Sequence, residues 1–136
     1  MLSPTQEKTL EAAINRIIPP DDWPGGWEAG VGDYLYRQFE RDLKDSVDLY
    51  RQGLDALDAE ALAVFAAHFV QLDDEQQDAL LHNVERGVVQ TEWPFHPGGF
   101  FAMMVQHATE GFYSDPGNGG NRNQVAWEMI GFEVRG

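Results

Sequence analysis

An all-α fold is what this sequence predicts: a compact, irregular helical bundle with a structured Gly/Asn-rich C-terminal loop. Three observations carry that expectation. Apolar residues recur at helical spacing behind recognisable caps, and no β-hairpin or βαβ pattern occurs anywhere in the chain. The length, 136 residues, suffices for one hydrophobic core with little margin for a second, so residues 1–136 read as a single helical domain of roughly five to seven helices.

The chain opens on a helix start. Ser3 is placed to cap, Pro4 suits the first helical position, and Gln6 completes a capping box. Leu10, Ile14, Ile17 and Ile18 then share one face until Pro19-Pro20 stops the helix. The irregular link PPDDWPGGW follows. Its Trp23 and Trp27 either present a contact pair or tuck inward to seal the base of the bundle, and the turn formers around them favour the tuck.

From Ala29 the period is helical again, with Val31, Tyr34, Leu35 and Phe39 as the apolar stripe. Leu49, Leu54 and Leu57 suggest a third helix with a thinner face, and Leu62, Phe65 and Phe69 a fourth from about Glu60 to Phe69 in an Ala-rich setting. Asp73 caps the next helix with Gln76 in the reciprocal position, and Ala79, Leu80, Leu81 and Val84 supply its buried side. TEWPFHPGG is a break. Phe100, Phe101, Met104, Val105 and Ala108 mark the last long helix, which delivers the chain into a loop at Gly111.

The stretch Gly111 to Phe132, GFYSDPGNGGNRNQVAWEMIGF, organises this reading. Its glycines, proline, aspartate and asparagines require sharp turning, and the bracketing aromatics Phe112, Tyr113, Trp127 and Phe132 read as anchors that hold a shaped loop against the body. Trp127 is the strongest expected anchor. Tyr113, Asp115, Asn118, Gly119, Gly120 and Asn121 are the residues expected to set the loop's shape or to reach a partner. GNGGN is neither a Walker A sequence, since no GK[ST] follows, nor a dinucleotide fingerprint, since no strand precedes it. A structural turn and a protein-contact loop remain the leading readings, ahead of a small-ligand or phosphate site.

Charge narrows the function further. Nine Lys and Arg against 23 Asp and Glu give a net charge of -14, which argues against unaided binding to nucleic acid or anionic lipid. The longest apolar run is too short to span a bilayer, so direct membrane insertion is not expected. Cysteine is absent, which removes disulfides and thiolate metal sites. His68, His82, His96 and His107 show no metal-ligand spacing and read as ordinary surface or core histidines. Ser3, Ser46 and Ser114 lack a nucleophile-elbow context. No catalytic residue, cofactor site or metal site is expected in this chain.

Particular stretches carry a family resemblance. TLEAAINRIIPPDD at Thr9 to Asp22, EAGVGDYLYRQF at Glu28 to Phe39, YRQGLDALD at Tyr50 to Asp58 and LDDEQQDALL at Leu72 to Leu81 lead to an ending in which ATEGFYSDP, GGN and AWEMIGF occur in order. In these the sequence resembles the gluconate 2-dehydrogenase subunit 3 family, the small subunits of bacterial flavin-dependent sugar and polyol dehydrogenases. It departs at Asn118, where relatives usually carry a tyrosine before GGN.

The resemblance implies a noncatalytic small subunit that binds and stabilises a large partner similar to the glucose-methanol-choline oxidoreductases. FAD, the substrate pocket and the catalytic histidine would all lie in that partner, in some complexes alongside a membrane-anchored cytochrome c subunit. Many relatives begin with a twin-arginine export signal, whereas this sequence starts directly on a polar helix. The expectation is therefore either a cytoplasmic complex or a chain whose signal was removed, for a periplasmic one. A stand-alone helical small-molecule binding protein is the alternative, and a copurifying flavoprotein would discriminate between the two.

Overall fold

A computed structural model describes residues 2–19, 25–41 and 44–113. Trp23, Asp115, Asn118, Gly119, Gly120, Asn121 and Trp127 lie outside the described residues, as does the rest of the Gly111 to Phe132 stretch beyond Tyr113. Five α-helices and two short 3-10 turns make up the regular structure, with no strand among the described residues. The all-α expectation holds.

Helix α1 runs Pro4–Ile17 behind the capping box. The Gln6 backbone N–H donates to Ser3 Oγ at 3.1 Å, and the Ser3 N–H donates back to Gln6 Oε1 at 2.9 Å. It ends before Pro19: Ile18 closes it by donating to the Ile14 carbonyl. Its buried face carries Leu10, Ala13 and Ile14, while Ile17 and Ile18 are half-buried. Arg16 ties α1 to the fourth helix through a two-pronged pair with Asp78, at 2.9 and 3.2 Å, and a further contact with Asp74.

Helix α2, Val31–Phe39, follows the expected stripe, with Val31, Leu35 and Phe39 buried. The expected third and fourth helices are one. Helix α3 runs unbroken over Val47–Phe65 because Ala56, Leu57, Asp58, Ala59, Glu60 and Ala61 contain neither Gly nor Pro, and five of the six are good helix formers. Its buried ridge is Tyr50, Leu54, Leu57 and Ala61, so Leu49 and Leu62 face outward. It stops at Ala66, which takes φ 57° and is the one non-glycine residue at positive φ among the described residues. Phe69, assigned by periodicity to the helix, lies buried in the following 3-10 turn Phe69–Gln71.

Helix α4, Asp74–Glu85, starts at the predicted Asp73/Gln76 box. Leu80, Leu81 and Val84 are buried as expected, but Ala79 is exposed and Gln77 takes its place inside. Gln77 is satisfied there: its Nε2 donates to the Phe69 carbonyl at 2.9 Å, so the amide fastens α4 to the 3-10 turn.

Helix α5 spans Pro97–Phe112, longer at both ends than the sequence suggested. The break ends at His96, whose ring accepts from the Gly99 N–H and caps the helix, so Pro97, Gly98 and Gly99 form its first turn. Gly111 and Phe112 complete the last turn instead of opening the loop. A Cβ on Gly111 would stand 2.8 Å from Tyr34 Cδ2, so this glycine serves a close helix crossing and not a turn. α5 packs against α1, α2, α3 and α4 and is the central helix of the bundle. Where it crosses α3, Gly53 admits the Phe100 ring: a Cβ at Gly53 would overlap that ring.

Candidate functional site

Trp27 and Tyr113 are the two sequence-predicted contact residues that the described structure contains, and it places them differently. Trp27 is half-buried, its indole lying on Gly32, where an added Cβ would be 2.8 Å from the ring, and edge-on to Tyr36 at 6.4 Å. Its backbone N–H donates to Asn15 Oδ1. This matches the tucked reading for Trp27. Tyr113 caps the end of α5, is 42% exposed, and sits edge-on to the buried Phe112 beside a groove shared with Ile17, Ile18, Pro19 and Val105.

From Trp27 a line of touching rings crosses the bundle through Tyr36, Phe39, Tyr50 and Phe100 to Trp93 and Phe95. Tyr50 is its centre. Its hydroxyl shares a 2.9 Å hydrogen bond with His107 Nδ1, and the two rings stack at 5.9 Å. Burial pushes the phenol well above its usual range, with the Glu110 carboxylate adding to the effect. Burial holds the His107 imidazole below its ordinary range, while Glu110 opposes. The pair is therefore neutral near pH 7 and serves as an uncharged tie between α3 and α5.

A pH dependence follows. The folded chain resists protonating His107, so the unfolded chain takes up that proton first. The associated stability is complete above the unfolded value near 6.5 and declines as pH falls through it toward the lower folded value. His107→Gln keeps a neutral partner for Tyr50, so its melting temperature is expected to lie below wild type at about pH 7.5 and to draw level toward about pH 5.5. Parallel melting curves check this, and a gap that is constant with pH would contradict it.

Glu60 is the second buried polar feature. It is 2% exposed, and its carboxylate accepts from the Gln90 N–H at 2.6 Å, the Thr91 N–H at 3.1 Å and the Thr91 hydroxyl. One acid on α3 thus pins the connection between α4 and α5. A further acid, Asp58, accepts from the Phe69 N–H and pairs with His68 Nδ1, both at 2.8 Å, shaping the turn after α3. Beyond that pairing, the His82 ring lies 3.9 Å from Glu85 and His96 is a helix cap. Among the described residues no three His, Asp or Glu side chains converge as a metal site, and no described helix is long and apolar enough to cross a membrane.

Sequence reasoning missed the roles of Tyr50 and Glu60, and it read His107 as an ordinary surface or core histidine without its tie to Tyr50. A signal existed for each: Tyr50 precedes Leu54, Leu57 and Ala61 at helical spacing, Glu60 stands beside that same ridge, and His107 falls three residues after Met104 on the apolar side of α5. A polar group on such a face must have a partner, which is what the structure supplies.

The last feature is an apolar groove of about 270 Å³ between α3 and the N-terminal half of α5, lined by Leu49, Phe95, His96, Gly99, Phe100 and Met103. Small-molecule sites run from about 300 to 1,000 Å³, so a space of this size suits a side chain better than a dinucleotide. The described residues form a small helical bundle that carries an apolar groove and an exposed Tyr113. A family model described as gluconate 2-dehydrogenase subunit 3 matches residues 4–134, and the chain belongs to that family. Its class is thus an accessory subunit of a dehydrogenase, with FAD in the partner subunit. No curated protein and no solved structure matches the chain.

Proposed function

We propose that this chain is the noncatalytic small subunit of an FAD-dependent, glucose-methanol-choline-type sugar or polyol dehydrogenase, and that it binds and stabilises the large, flavin-carrying subunit. The observation that carries this reading is a family match extending over residues 4–134, which supports reading 1–136 as one small-subunit domain. The chemistry of the chain agrees. Among the described residues, the buried Tyr50, Glu60 and His107 are each spent on holding helices or loops together. The net charge of -14 favours a protein partner over nucleic acid or an anionic membrane.

Coexpression tests the proposal. Purified alone, the chain is expected to show no flavin absorbance and no dye-reducing activity toward sugars. With its cognate large subunit it is expected to form a stable complex whose activity or yield falls when the small chain is omitted. Dye reduction by the small chain alone, or a large subunit indifferent to it, would overturn the reading.

The Gly111 to Phe132 stretch is proposed as one contact, with the exposed Tyr113 near its start. Asn118→Ala and Asn121→Ala are expected both to weaken the complex and to lower the melting temperature of the isolated chain, with the larger binding effect at Asn118. Unchanged affinity in both variants would remove the stretch from the interface.

A further inference from the structure

We propose that the groove between α3 and α5 seats one uncharged, apolar side chain of the large dehydrogenase subunit, of leucine, methionine or phenylalanine size. This rests on the subunit reading above and adds a contact face that the sequence did not suggest. The groove is preformed. Phe100 is its floor, held by the Tyr50, Trp93 and Phe95 rings at 5.7 to 6.2 Å. Glu60 fixes the backbone at Gln90 and Thr91 that leads into the Phe95 wall, and His96 is locked as the cap of α5. Leu49, at 41% exposure, forms the lip. A rigid apolar slot of this kind is where interface anchors insert.

Charge identifies the occupant. From Val88 to Thr109, Glu92 is the sole Asp, Glu, Lys or Arg, in a chain whose residues are 24% charged. Burial against four helices accounts for Phe100, Met104 and Ala108, but not for Gly99, Ala102, Gln106 and Thr109, which are exposed on α5 and equally uncharged. A solvated helix face in so acidic a protein would be expected to carry carboxylates. Depletion of charge around the half-buried Phe95, Phe101 and Met103 and the exposed Leu49 matches the make-up of an interface core. A basic partner segment would find little on this face to attract it. A second copy would bring another net charge of -14 against the first. A neutral segment of the large subunit fits both constraints.

Full-length chain carrying Leu49→Asp or Gly99→Glu, each at an exposed position that lines the groove, is titrated against the cognate large subunit, with Val70→Asp as the control. Val70 is comparably exposed but lines a different, polar cleft beside α1. Both groove variants are expected to weaken binding about 10-fold or more while the isolated chains melt as wild type, and the control is expected to bind normally. If wild type binds and both groove variants bind equally well, the groove proposal fails and the subunit reading stands. If Leu49→Asp instead dissociates a homodimer without changing affinity for the large subunit, the occupant is a second copy and the proposal is overturned. If wild type does not bind the large subunit at all, the subunit reading falls and takes this proposal with it.

Discussion

Tyr50→Ala is expected to destabilise the isolated chain by about 4 to 5 kcal/mol, lowering its melting temperature by roughly 12 to 15 °C. The side chain is fully buried, and its ring lies 5.2 Å from Phe39, 5.8 Å from Phe100 and 5.9 Å from His107. Removing it opens a cavity at the crossing of α3 and α5, where Gly53 already brings the helices as close as Phe100 permits. It also leaves His107 Nδ1 without its partner in a site nearly closed to water. Against a total stability of about 5 to 15 kcal/mol, that loss puts the fold near its limit. Tyr50→Phe separates the two contributions: it keeps the ring and is expected to cost only about 1 to 2 kcal/mol, mostly from the lost hydrogen bond. Chemical denaturation of both variants decides the matter. A phenylalanine variant as unstable as the alanine variant would mean that the hydrogen bond, and not packing, dominates at this position.

Glu60→Ala is expected to cost about 3 to 5 kcal/mol, for a different reason. Burying a carboxylate is unfavourable by itself, and what offsets it here is the set of donors from Gln90 and Thr91 aimed at its two oxygens. Alanine leaves those donors facing the aliphatic side of α3. Glu60→Gln preserves the volume but turns an NH2 group toward at least one of them, so an intermediate loss of about 2 kcal/mol is expected. The change should be local before it is global. Amide exchange is expected to accelerate in the 88–96 connection of both variants at temperatures where the exchange of α1 is unaltered. Wild-type melting and wild-type exchange in Glu60→Ala would show that water replaces the carboxylate at no cost.

These two side chains also mark where sequence reading stops. The caps at Ser3 and Asp73 were legible because a capping box is a local signal, closed within four residues. The stripes of α1 and α2 were legible because their apolar periods are clean. The middle of the chain was not. An apparent gap after Leu57 suggested two helices, yet the residues there favour helix and the buried ridge passes through Tyr50 and Ala61 instead of Leu49 and Leu62. At α5, Gly98, Gly99 and Gly111 read as breakers because glycine is usually placed for its backbone. Here Gly98 and Gly111 serve close packing, and the groups they make room for, the Glu85 carbonyl oxygen and the Tyr34 ring, have no signature at the glycine itself.

The site divides along the same line. Tyr113 was read as an anchor or loop-shaping residue beyond the last helix, whereas it is exposed at the end of α5, and Trp27, read as either a contact or a tucked ring, is half-buried. The groove was invisible in the sequence, since Leu49 and Met103 lie far apart in the chain and meet only because α3 crosses α5.

By itself, then, the sequence determined the helical class, the starts of α1 and α4, the stop at Pro19 and membership in a dehydrogenase-subunit family. Each depends on neighbouring residues or on the order of motifs along the chain. Only the tertiary structure decided the length of α3 and α5, the neutral Tyr50–His107 tie, the Glu60 clasp and the apolar groove. The physical reason is range: the Tyr50–His107 bond joins residues 57 apart and the Glu60 clasp residues about 30 apart. Such partners are chosen by which faces remain to be buried once the helices have packed.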